Sequence, residues 1–487
     1  MEKTPITISA NELLQGMSDS MFLGVSKIVN LDLHSKKGAI LISNDVSVET
    51  GSPNTGFVQL HAKDEVNGVD YYADDDGKIF RRTAGATWTR IDNIYSGNSG
   101  ATSSKGLAVY KDYLFFLYNS GSTVRSDRLG PLSGSPTWSN NWGDFSTSTV
   151  SGKICSLSGQ DDILYFGINN NVASLTDATS AATINQSALD LPLGYKILSL
   201  EELGVNLVIG TLIGNRGDIF TWDRVSPSFD LPTKTVLKGI YGLKNKDNII
   251  YGYGDTFGYV LQTNGTQSQK IKKLSVLTNE PKTPFNLSQS CISEYDDGIL
   301  FGLGKTAGQD NGVNGLFYLK NGAWQIFTLT PGDGTNNHDL LIGTITNIGN
   351  NQWLVSWQYD STYGFDVLST SAYTTGYGAY FESEMYNVGT RIQPRTFQSC
   401  KFEFTKPLTT GQGIKIEFRL NSEDIWTESD TFAYGDGTGS GRDNLGGITS
   451  FDFSPNIPKA EHVQFRISLT TSVNAGTTPE LLYVTFE

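Results

Sequence analysis

The chain has 487 residues, more than one hydrophobic core usually supports, which favours two or three domains or one large repeat architecture. It contains 53 glycines and 25 phenylalanines beside only 4 methionines, a composition typical of many short strands joined by tight turns. The formal charge of −14 argues against a nucleic acid or an anionic membrane as partner, because phosphate groups need a basic face.

Residues 1–37 are predicted to form an N-terminal arm. Residues 11–17 fit a short helical turn, and residues 32–38 fit a turn that enters a strand. The start of the chain lacks the basic residues and the continuous apolar stretch of a Sec signal. No apolar run in the chain is long enough to span a membrane. Neither Sec export nor membrane insertion is therefore expected.

Residues 38–376 contain a repeat that predicts a β-propeller. Each copy has an acidic or amide turn, then a short apolar run, then a small residue three positions after the start of the run. Successive runs begin 42 to 54 residues apart. This variable spacing suits propeller blades better than a strict solenoid. The small residues are Ala73, Gly167, Gly210, Gly252, Gly302 and Ser356, and Leu117 is the exception.

Apolar stretches before and after each run predict three strands per repeat, and a fourth is implied. In some copies a Gly or Pro turn with a tryptophan indicates the fourth strand, as at Trp88, Trp138 and Trp324. The copies number seven, so about seven four-stranded blades are predicted. We attribute the small residues to crowding of the inner strands towards a central channel. Residues 39–42 are predicted to close the ring as the outer strand of the last blade.

Residues 377–487 are predicted to form an antiparallel β-sandwich of the jelly-roll kind. Apolar and polar residues alternate in residues 400–404, 414–420 and 463–469, and a further strand covers residues 481–486. Such alternation indicates one packed face and one wet face. The loop from Tyr434 to Gly447 is long and rich in Gly and Asp, and mobility is expected there.

Both ends of the chain resemble propeller-containing structural proteins of tailed bacteriophages. The N-terminal resemblance lies in residues 16–20 and 30–38, and the C-terminal one in residues 396–408, 413–419, Trp426 and 464–469. The resemblance implies a non-enzymatic virion protein of the tail: a nozzle, hub, adaptor ring or fibre-like protein. It implies assembly in the host cytoplasm, contacts with other virion proteins and with copies of itself, and no catalytic residue. A host-surface glycan or receptor is a further partner to consider.

The alternative is a secreted propeller that binds or hydrolyses carbohydrate. Glycoside hydrolysis needs two carboxylates, and the chain has adjacent acidic pairs at Asp161–Asp162, Glu201–Glu202 and Asp296–Asp297. These pairs recur at equivalent points of the repeat, which is what turn chemistry predicts. No nucleophile elbow, P-loop or dinucleotide motif is present. We therefore predict no catalytic, cofactor-binding or metal-binding residue, and no cofactor.

Three weaker signals remain. The carboxylates of Asp74, Asp75 and Asp76 suit calcium, but the spacing is not that of an EF-hand, and an ordinary Asp-rich hairpin is the preferred interpretation. Scattered histidines and cysteines show no metal or disulfide spacing: His34, His61, His338, His462, Cys155, Cys291 and Cys400. Some tyrosines fit either a sugar or protein contact surface or a buried interface: Tyr359, Tyr363, Tyr373, Tyr377 and Tyr380.

Overall fold

A computed structural model describes most of the chain: residues 5–13, 25–36, 38–91, 101–120, 123–145, 154–156, 162–235, 237–254, 259–265, 267–273, 290–304, 315–320, 323–331, 339–373, 378–422, 424–434, 449–471 and 477–487. Apart from strands and loops, these residues contain a short helix, Ala10–Leu13, and a 3₁₀ turn, Ala181–Thr183. Neither is long and apolar enough to cross a membrane. The predicted all-β class is confirmed.

Contacts divide the chain into two compact units. The first, which we call the ring unit, contains residues 48–315 and 330–367. The second unit contains residues 1–47, 316–329 and 368–487. The domain boundaries at residues 37 and 376 stay a prediction.

Antiparallel sheets build the ring unit, and sheets 1 to 5 and sheet 7 have four strands each, as propeller blades do. In chain order the strands are Val58–Asp64, Val69–Asp74, Ile79–Thr83 and Thr87–Arg90 in sheet 1; Ala101–Tyr110, Tyr113–Ser120, Thr123–Gly130 and Thr137–Asp144 in sheet 2; Ile154–Ser156, Leu164–Ile168, Asn171–Leu175 and Ile184–Asp190 in sheet 3; Lys196–Leu203, Asn206–Leu212, Asp218–Trp222 and Thr233–Lys234 in sheet 4; Ile240–Lys246, Ile249–Gly254, Tyr259–Thr263 and Ser268–Lys273 in sheet 5; Ile292–Tyr295 and Gly298–Leu303 in sheet 6; and Leu340–Gly349, Gln352–Tyr359 and Thr362–Tyr373 in sheet 7.

The first strands of these sheets follow one another in a closed cycle. Each contacts the first strand of the next sheet, and Leu340–Gly349 of sheet 7 contacts Val58–Asp64 of sheet 1. The predicted apolar runs are the second strands, as in Asn206–Leu212 and Ile249–Gly254. Buried clusters lie between neighbouring sheets: one joins Leu60 and Tyr71 to Phe116, and another joins Tyr165 to Leu207. The core is thus formed by sheets packed face to face, which is propeller packing.

Two of the small residues, Gly210 and Gly302, lie where the first strand of the next sheet approaches closely. A Cβ atom on Gly210 would lie 2.8 Å from Cγ2 of Ile240, in the first strand of the next sheet. A Cβ atom on Gly302 would lie 2.8 Å from Cγ2 of Ile342 in the same way. The lack of a Cβ atom at these glycines therefore lets the neighbouring sheet pack this closely, because a real Cβ contact is almost never that short.

Ring closure uses a different segment from the predicted one. Residues 39–42 were expected as the outer strand of the last blade, but Leu41–Ile42 pairs with Leu31–Asp32, and Ile40 bridges Leu481. The fourth strand of sheet 7 is instead Asn44–Val48. Directly after it, the Glu49 N–H donates to the carbonyl of Phe365 at 2.8 Å. The closing strand does come from before the first repeat, a few residues later than expected.

Sheets 7 and 1 are joined by both polar and apolar contacts. The Ser356 hydroxyl donates to the carbonyl of Val58 at 2.7 Å, and the hydroxyls of Tyr72 and Thr346 are 3.0 Å apart. The Phe365 ring lies against Tyr72 and Trp88, with centroids 5.4 and 4.8 Å away. A buried ion pair joins Arg82 to Glu49, whose Oε1 lies 2.9 Å from both Nε and one Nη of the arginine.

The described part of the second unit contains two extended sheets and the short pair of Leu31–Asp32 with Leu41–Ile42. The larger has, in order, Gly315–Lys320, Ala323–Phe327, Val25–Val29, Ala379–Ser383, His462–Thr470, Gly413–Arg419 and Thr427–Ala433, and Tyr386–Asn387 also pairs with His462–Thr470. The smaller has Ile6–Ser9, Leu481–Phe486, Cys400–Phe404 and Ser450–Phe453. Their apolar side chains meet: Phe465 stacks on Phe486 at 3.7 Å, and Phe402 lies 5.4 Å from Phe432. The predicted strands at residues 400–404 and 481–486 are confirmed, whereas nearly all of the loop from Tyr434 to Gly447 lies outside the described residues.

The N-terminal segment is part of the second unit. Ile6–Ser9 forms an edge strand against Leu481–Phe486, with Ile6 opposite Phe486. Further along, the Asp32 carboxylate accepts hydrogen bonds from the N–H groups of His34 and Ser35 and fixes the predicted turn. Two lysines, Lys36 and Lys406, both pair with the nearly buried Glu480.

We expect Glu480 to stabilise the second unit above pH 4.5. Burial opposes ionisation of Glu480, but hydrogen bonds from Lys36, Lys406 and Thr405 outweigh it and lower the pKa of Glu480 from 4.5 to about 2. A carboxyl with a lowered pKa in the folded state stabilises it above the unfolded pKa, and this contribution disappears as the pH falls towards 2. Glu480→Gln should therefore lower the melting temperature at pH 7 and have little effect near pH 2, as followed by circular dichroism. Glu461→Gln, at an exposed position, is the control, and an equal loss at both pH values would contradict the assignment.

Candidate functional site

Asp296 occupies a turn, as turn chemistry predicts for the acidic pairs. Asp296 lies between the paired residues Tyr295 and Gly298 and has a φ of 47°. Asp247 and Asn248 form the two-residue turn at the corresponding point of sheet 5, with φ values of 53° and 62°. Such positive φ values at both central residues are those of a type I′ hairpin turn, which favours Asp, Asn and Gly. Asp162 also has a positive φ of 43°, and Asp161 lies outside the described residues.

The pair Glu201–Glu202 is not in a turn but ends the first strand of sheet 4. The Glu201 carboxylate accepts a hydrogen bond from the N–H of Asn245 at 3.3 Å and lies 3.8 Å from the Lys244 ammonium. This carboxylate therefore connects sheet 4 to the first strand of sheet 5. These contacts give Glu201 a structural role within the ring unit.

The three aspartates Asp74, Asp75 and Asp76 lie within metal-ligand distance of one another. A cation of the chain itself lies among them: the Lys78 ammonium is 3.5 Å from Oδ2 of Asp74 and 3.2 Å from Oδ2 of Asp76. The Asp74 carboxylate also accepts the Lys78 N–H at 2.7 Å. The cluster thus has the hydrogen bonds of an Asp-rich hairpin, and the Lys78 ammonium forms ion pairs with two of its three carboxylates.

We expect Asp74→Asn to stabilise the ring unit at neutral pH. Burial is the main cause that raises the pKa of Asp74 from 3.8 to about 6, so the folded state binds its proton more tightly than the unfolded chain does. Stability should accordingly rise as the pH falls from 6 to 4. The amide oxygen of asparagine can still accept the Lys78 N–H. The gain in melting temperature should be largest near pH 7.5 and vanish near pH 4. An equal gain at pH 7.5 and at pH 4 would contradict this assignment.

The surroundings of the histidines, cysteines and tyrosines singled out in the sequence are as follows. His61 lies 2.9 Å from the Asp70 carboxylate and against the Tyr72 ring, whereas His462 is an exposed strand residue. Cys291 and Cys400 are buried, and the Cys291 thiol donates to the carbonyl of Ile342 at 2.8 Å. His338 and the side chains of Cys155, Tyr373 and Tyr377 lie outside the described part of the chain.

A row of alternating cationic and aromatic side chains crosses the larger sheet of the second unit. We call it the cation–aromatic ladder: Lys27, Tyr380, Arg466, Trp426 and Arg419. The Lys27 ammonium lies 5.4 Å from the Tyr380 ring centre, and the Arg466 guanidinium lies 4.8 Å from the same ring. Trp426 has Arg466 at 4.3 Å and Arg419 at 4.5 Å. Contacts of this length between a guanidinium and an aromatic ring are attractive.

Hydrogen bonds hold the ladder in place. Arg466 donates to the Glu382 carboxylate from Nε and from one Nη, at 3.1 and 2.6 Å. Arg419 donates from Nε to the side-chain oxygen of Gln464 at 2.7 Å. The five residues come from four adjacent strands and the residue just before a fifth, so the sheet register brings them together. Sequence analysis singled out Tyr380 but missed the arrangement, for which the only sequence signal is the alternation in residues 463–469.

Three exposed apolar side chains lie on loops of sheet 4. We call them the sheet 4 loop patch: Val205, Val225 and Leu231. These side chains are 57%, 85% and 94% exposed. Val205 is in the turn between the first two strands, and the other two are in the loop between Asp218–Trp222 and Thr233–Lys234. The side chain of Arg224 joins the two segments by donating from Nε to the carbonyl of Val205 at 2.6 Å.

The loop that carries the patch is well anchored. The Asp223 carboxylate accepts hydrogen bonds from the N–H groups of Val225 and Ser226 at 3.0 and 2.7 Å. The Trp222 indole N–H donates to the carbonyl of Ser226 at 2.7 Å. Phe229 packs edge-on against Phe220 at 4.8 Å. The loop therefore has a fixed conformation around Val225, and its exposed apolar side chains are available for contact with another molecule.

Comparisons with known proteins give only distant structural likenesses. No family model and no curated protein matches the chain. The chain is similar to the WD40 repeats of RRP9, with 12% identity, a TM-score of 0.47, and coverage of 67% of this chain and 99% of that one. It is also similar to the WD40 propeller domain of Doa1, with 11% identity, a TM-score of 0.45, and coverage of 67% and 97%. A third likeness is to the computationally designed protein Ika8, with 13% identity, a TM-score of 0.41, and coverage of 66% and 98%.

Proposed function

We propose that the protein is a non-enzymatic structural component of a bacteriophage virion, placed in the tail as a nozzle, hub, adaptor or fibre-like protein. It acts through protein–protein contacts with copies of itself and with other virion proteins. The observation that carries the proposal is the sheet 4 loop patch, three exposed apolar side chains on anchored loops of the ring unit. The resemblance of the chain ends to phage tail proteins supports the same function.

We also propose the finer architecture that this function uses. Seven blades form the propeller, in line with the closed cycle of first strands in the ring unit. The two sheets of the second unit form a β-sandwich, in line with the contacts between Phe465 and Phe486 and between Phe402 and Phe432. The turn positions of Asp296 and Asp247 favour a non-catalytic role for the acidic residues.

The double variant Val225→Ser with Leu231→Ser tests the assembly function. In phage particles that carry the wild-type chain, the protein should be present in stoichiometric amount, and native mass measurement should show a defined assembly of purified protein. The variant should keep its melting temperature, because both side chains are exposed, but lose incorporation and assembly. Leu193→Ser changes a side chain that is 91% exposed on another loop of the ring unit, and it should behave like the wild type.

The alternative function predicts a different outcome. A secreted carbohydrate-binding or glycan-hydrolysing propeller would be absent from particles and would remain a monomer with or without the two substitutions. Absence from purified particles together with release of reducing sugar from a glycan would overturn the virion proposal.

A further inference from the structure

A pocket lies at one end of the cation–aromatic ladder, in the second unit. Its volume is about 500 Å³, within the range of small-ligand sites. The polar part of its wall is Arg419, Asp424, Thr427 and Asn456, and Ile425 and Pro458 add apolar surface. The Ile425 side chain is 88% exposed, so its apolar surface is accessible to a ligand.

The polar groups of the wall are held by contacts behind them. Arg419 donates to Gln464 and lies 4.5 Å from the Trp426 ring, so its guanidinium has a fixed orientation. One oxygen of Asp424, Oδ2, accepts the backbone N–H and the side-chain N–H of Asn421, both at 3.0 Å. The backbone N–H of Asn456 donates to the Ser429 hydroxyl at 3.1 Å. Groups positioned in this way need little ordering when a ligand binds.

The chemistry of the wall selects the class of ligand. A guanidinium and an amide donate hydrogen bonds, a carboxylate accepts them, and the Thr427 hydroxyl does both. The charges of Arg419 and Asp424 cancel, so the wall favours neither an anion nor a cation. Ile425 and Pro458 offer apolar surface to the C–H face of a ring. Neighbouring hydroxyls on an apolar ring frame are the feature of a sugar.

We propose that this pocket binds a neutral saccharide of one or two rings. The hydroxyls of the sugar donate to Asp424 and accept from Arg419 and Asn456, and its C–H face lies on Ile425. The site does not depend on the proposed assembly function, since it lies on the second unit and uses none of the residues of the sheet 4 loop patch.

Binding to a glycan array tests the proposal. The array carries neutral gluco-, galacto-, manno- and N-acetylglucosamine oligosaccharides beside uronic-acid and sulfated ones, and the strongest ligand is then titrated by calorimetry. The full chain should bind neutral members. Asp424→Asn and Asn456→Ala should each weaken binding at least about tenfold, the usual effect of losing one hydrogen bond to a charged or well-positioned partner.

Controls separate the pocket from the rest of the surface. Lys459→Ala changes an exposed residue that follows Pro458 and does not line the pocket, and it should leave the affinity unchanged. All three positions are exposed, so unchanged melting temperatures are expected for the variants. The proposal is wrong if no neutral glycan binds, if only acidic glycans bind, or if Asp424→Asn and Asn456→Ala bind as tightly as Lys459→Ala. Virion incorporation and native mass are measured separately, so failure here leaves the assembly test intact.

Discussion

Arg82→Ala should destabilise the ring unit by about 3–5 kcal/mol, the usual cost of removing one partner of a buried ion pair. Both Arg82 and Glu49 are 8% exposed, so the carboxylate of Glu49 would be left without its cation and away from water. The pair joins sheet 1 to the segment that follows the closing strand. Its loss should therefore open the ring where the chain closes it, and the melting temperature should fall by on the order of 5 °C.

Two further variants separate the ion pair from a general effect of charge. Arg81→Ala removes the neighbouring, exposed arginine and should change stability by less than about 0.5 kcal/mol. The double variant Glu49→Gln with Arg82→Met removes both charges and should be more stable than Arg82→Ala alone. Denaturant unfolding measures all three. Equal losses for Arg81→Ala and Arg82→Ala would rule out a special role for the pair.

Gly343→Ala should also open the junction of sheets 7 and 1. A Cβ atom at residue 343 would lie 1.8 Å from the carbonyl oxygen of Val58 and 2.6 Å from the Ser356 hydroxyl oxygen. The carbonyl is backbone and cannot rotate away, so sheet 1 must move and the hydrogen bond from Ser356 to Val58 is lost. We expect a loss of at least about 2 kcal/mol.

Gly134→Ala is the matched control for this substitution. Gly134 lies in a loop of sheet 2, and its added Cβ atom would approach nothing closer than 3.9 Å. Alanine there should leave stability unchanged within about 0.5 kcal/mol or raise it slightly, because it restricts the unfolded chain. Thermal unfolding followed by circular dichroism compares the two variants. A harmless Gly343→Ala would show that sheets 7 and 1 do not approach as closely as described.

The repeat could be predicted because its signals are local. A turn such as Asp247–Asn248 needs residues that tolerate positive φ, and the strand after it needs apolar residues, so both leave a pattern within a few positions. Gly210 and Gly302 were recognised as necessary small residues, but their reason, the approach of Ile240 and Ile342, depends on the next sheet. Composition along one strand carries no information about that neighbour.

Ring closure and the ladder could not be predicted in the same way. The closing strand Asn44–Val48 is less apolar than residues 39–42, and its partner strand lies more than three hundred residues away. The sequence pattern therefore favours residues 39–42 as the closing strand. The ladder depends on the registers that place Glu382 opposite Arg466 and Arg419 opposite Gln464. Registers between distant strands leave no mark in a single sequence.

The pairing of Ile6–Ser9 with Leu481–Phe486 imposes an order on folding. Sheets 1 to 5 join strands that are neighbours in the chain, so each can form as soon as a ribosome has released its own residues. The edge strand at Ile6 must instead wait, exposed, until its partner at Phe486 emerges, because no nearer strand completes that sheet. Synthesis therefore finishes the ring sheets early and the second unit last, and a nascent chain stalled before residue 481 keeps an open sheet edge available to other chains.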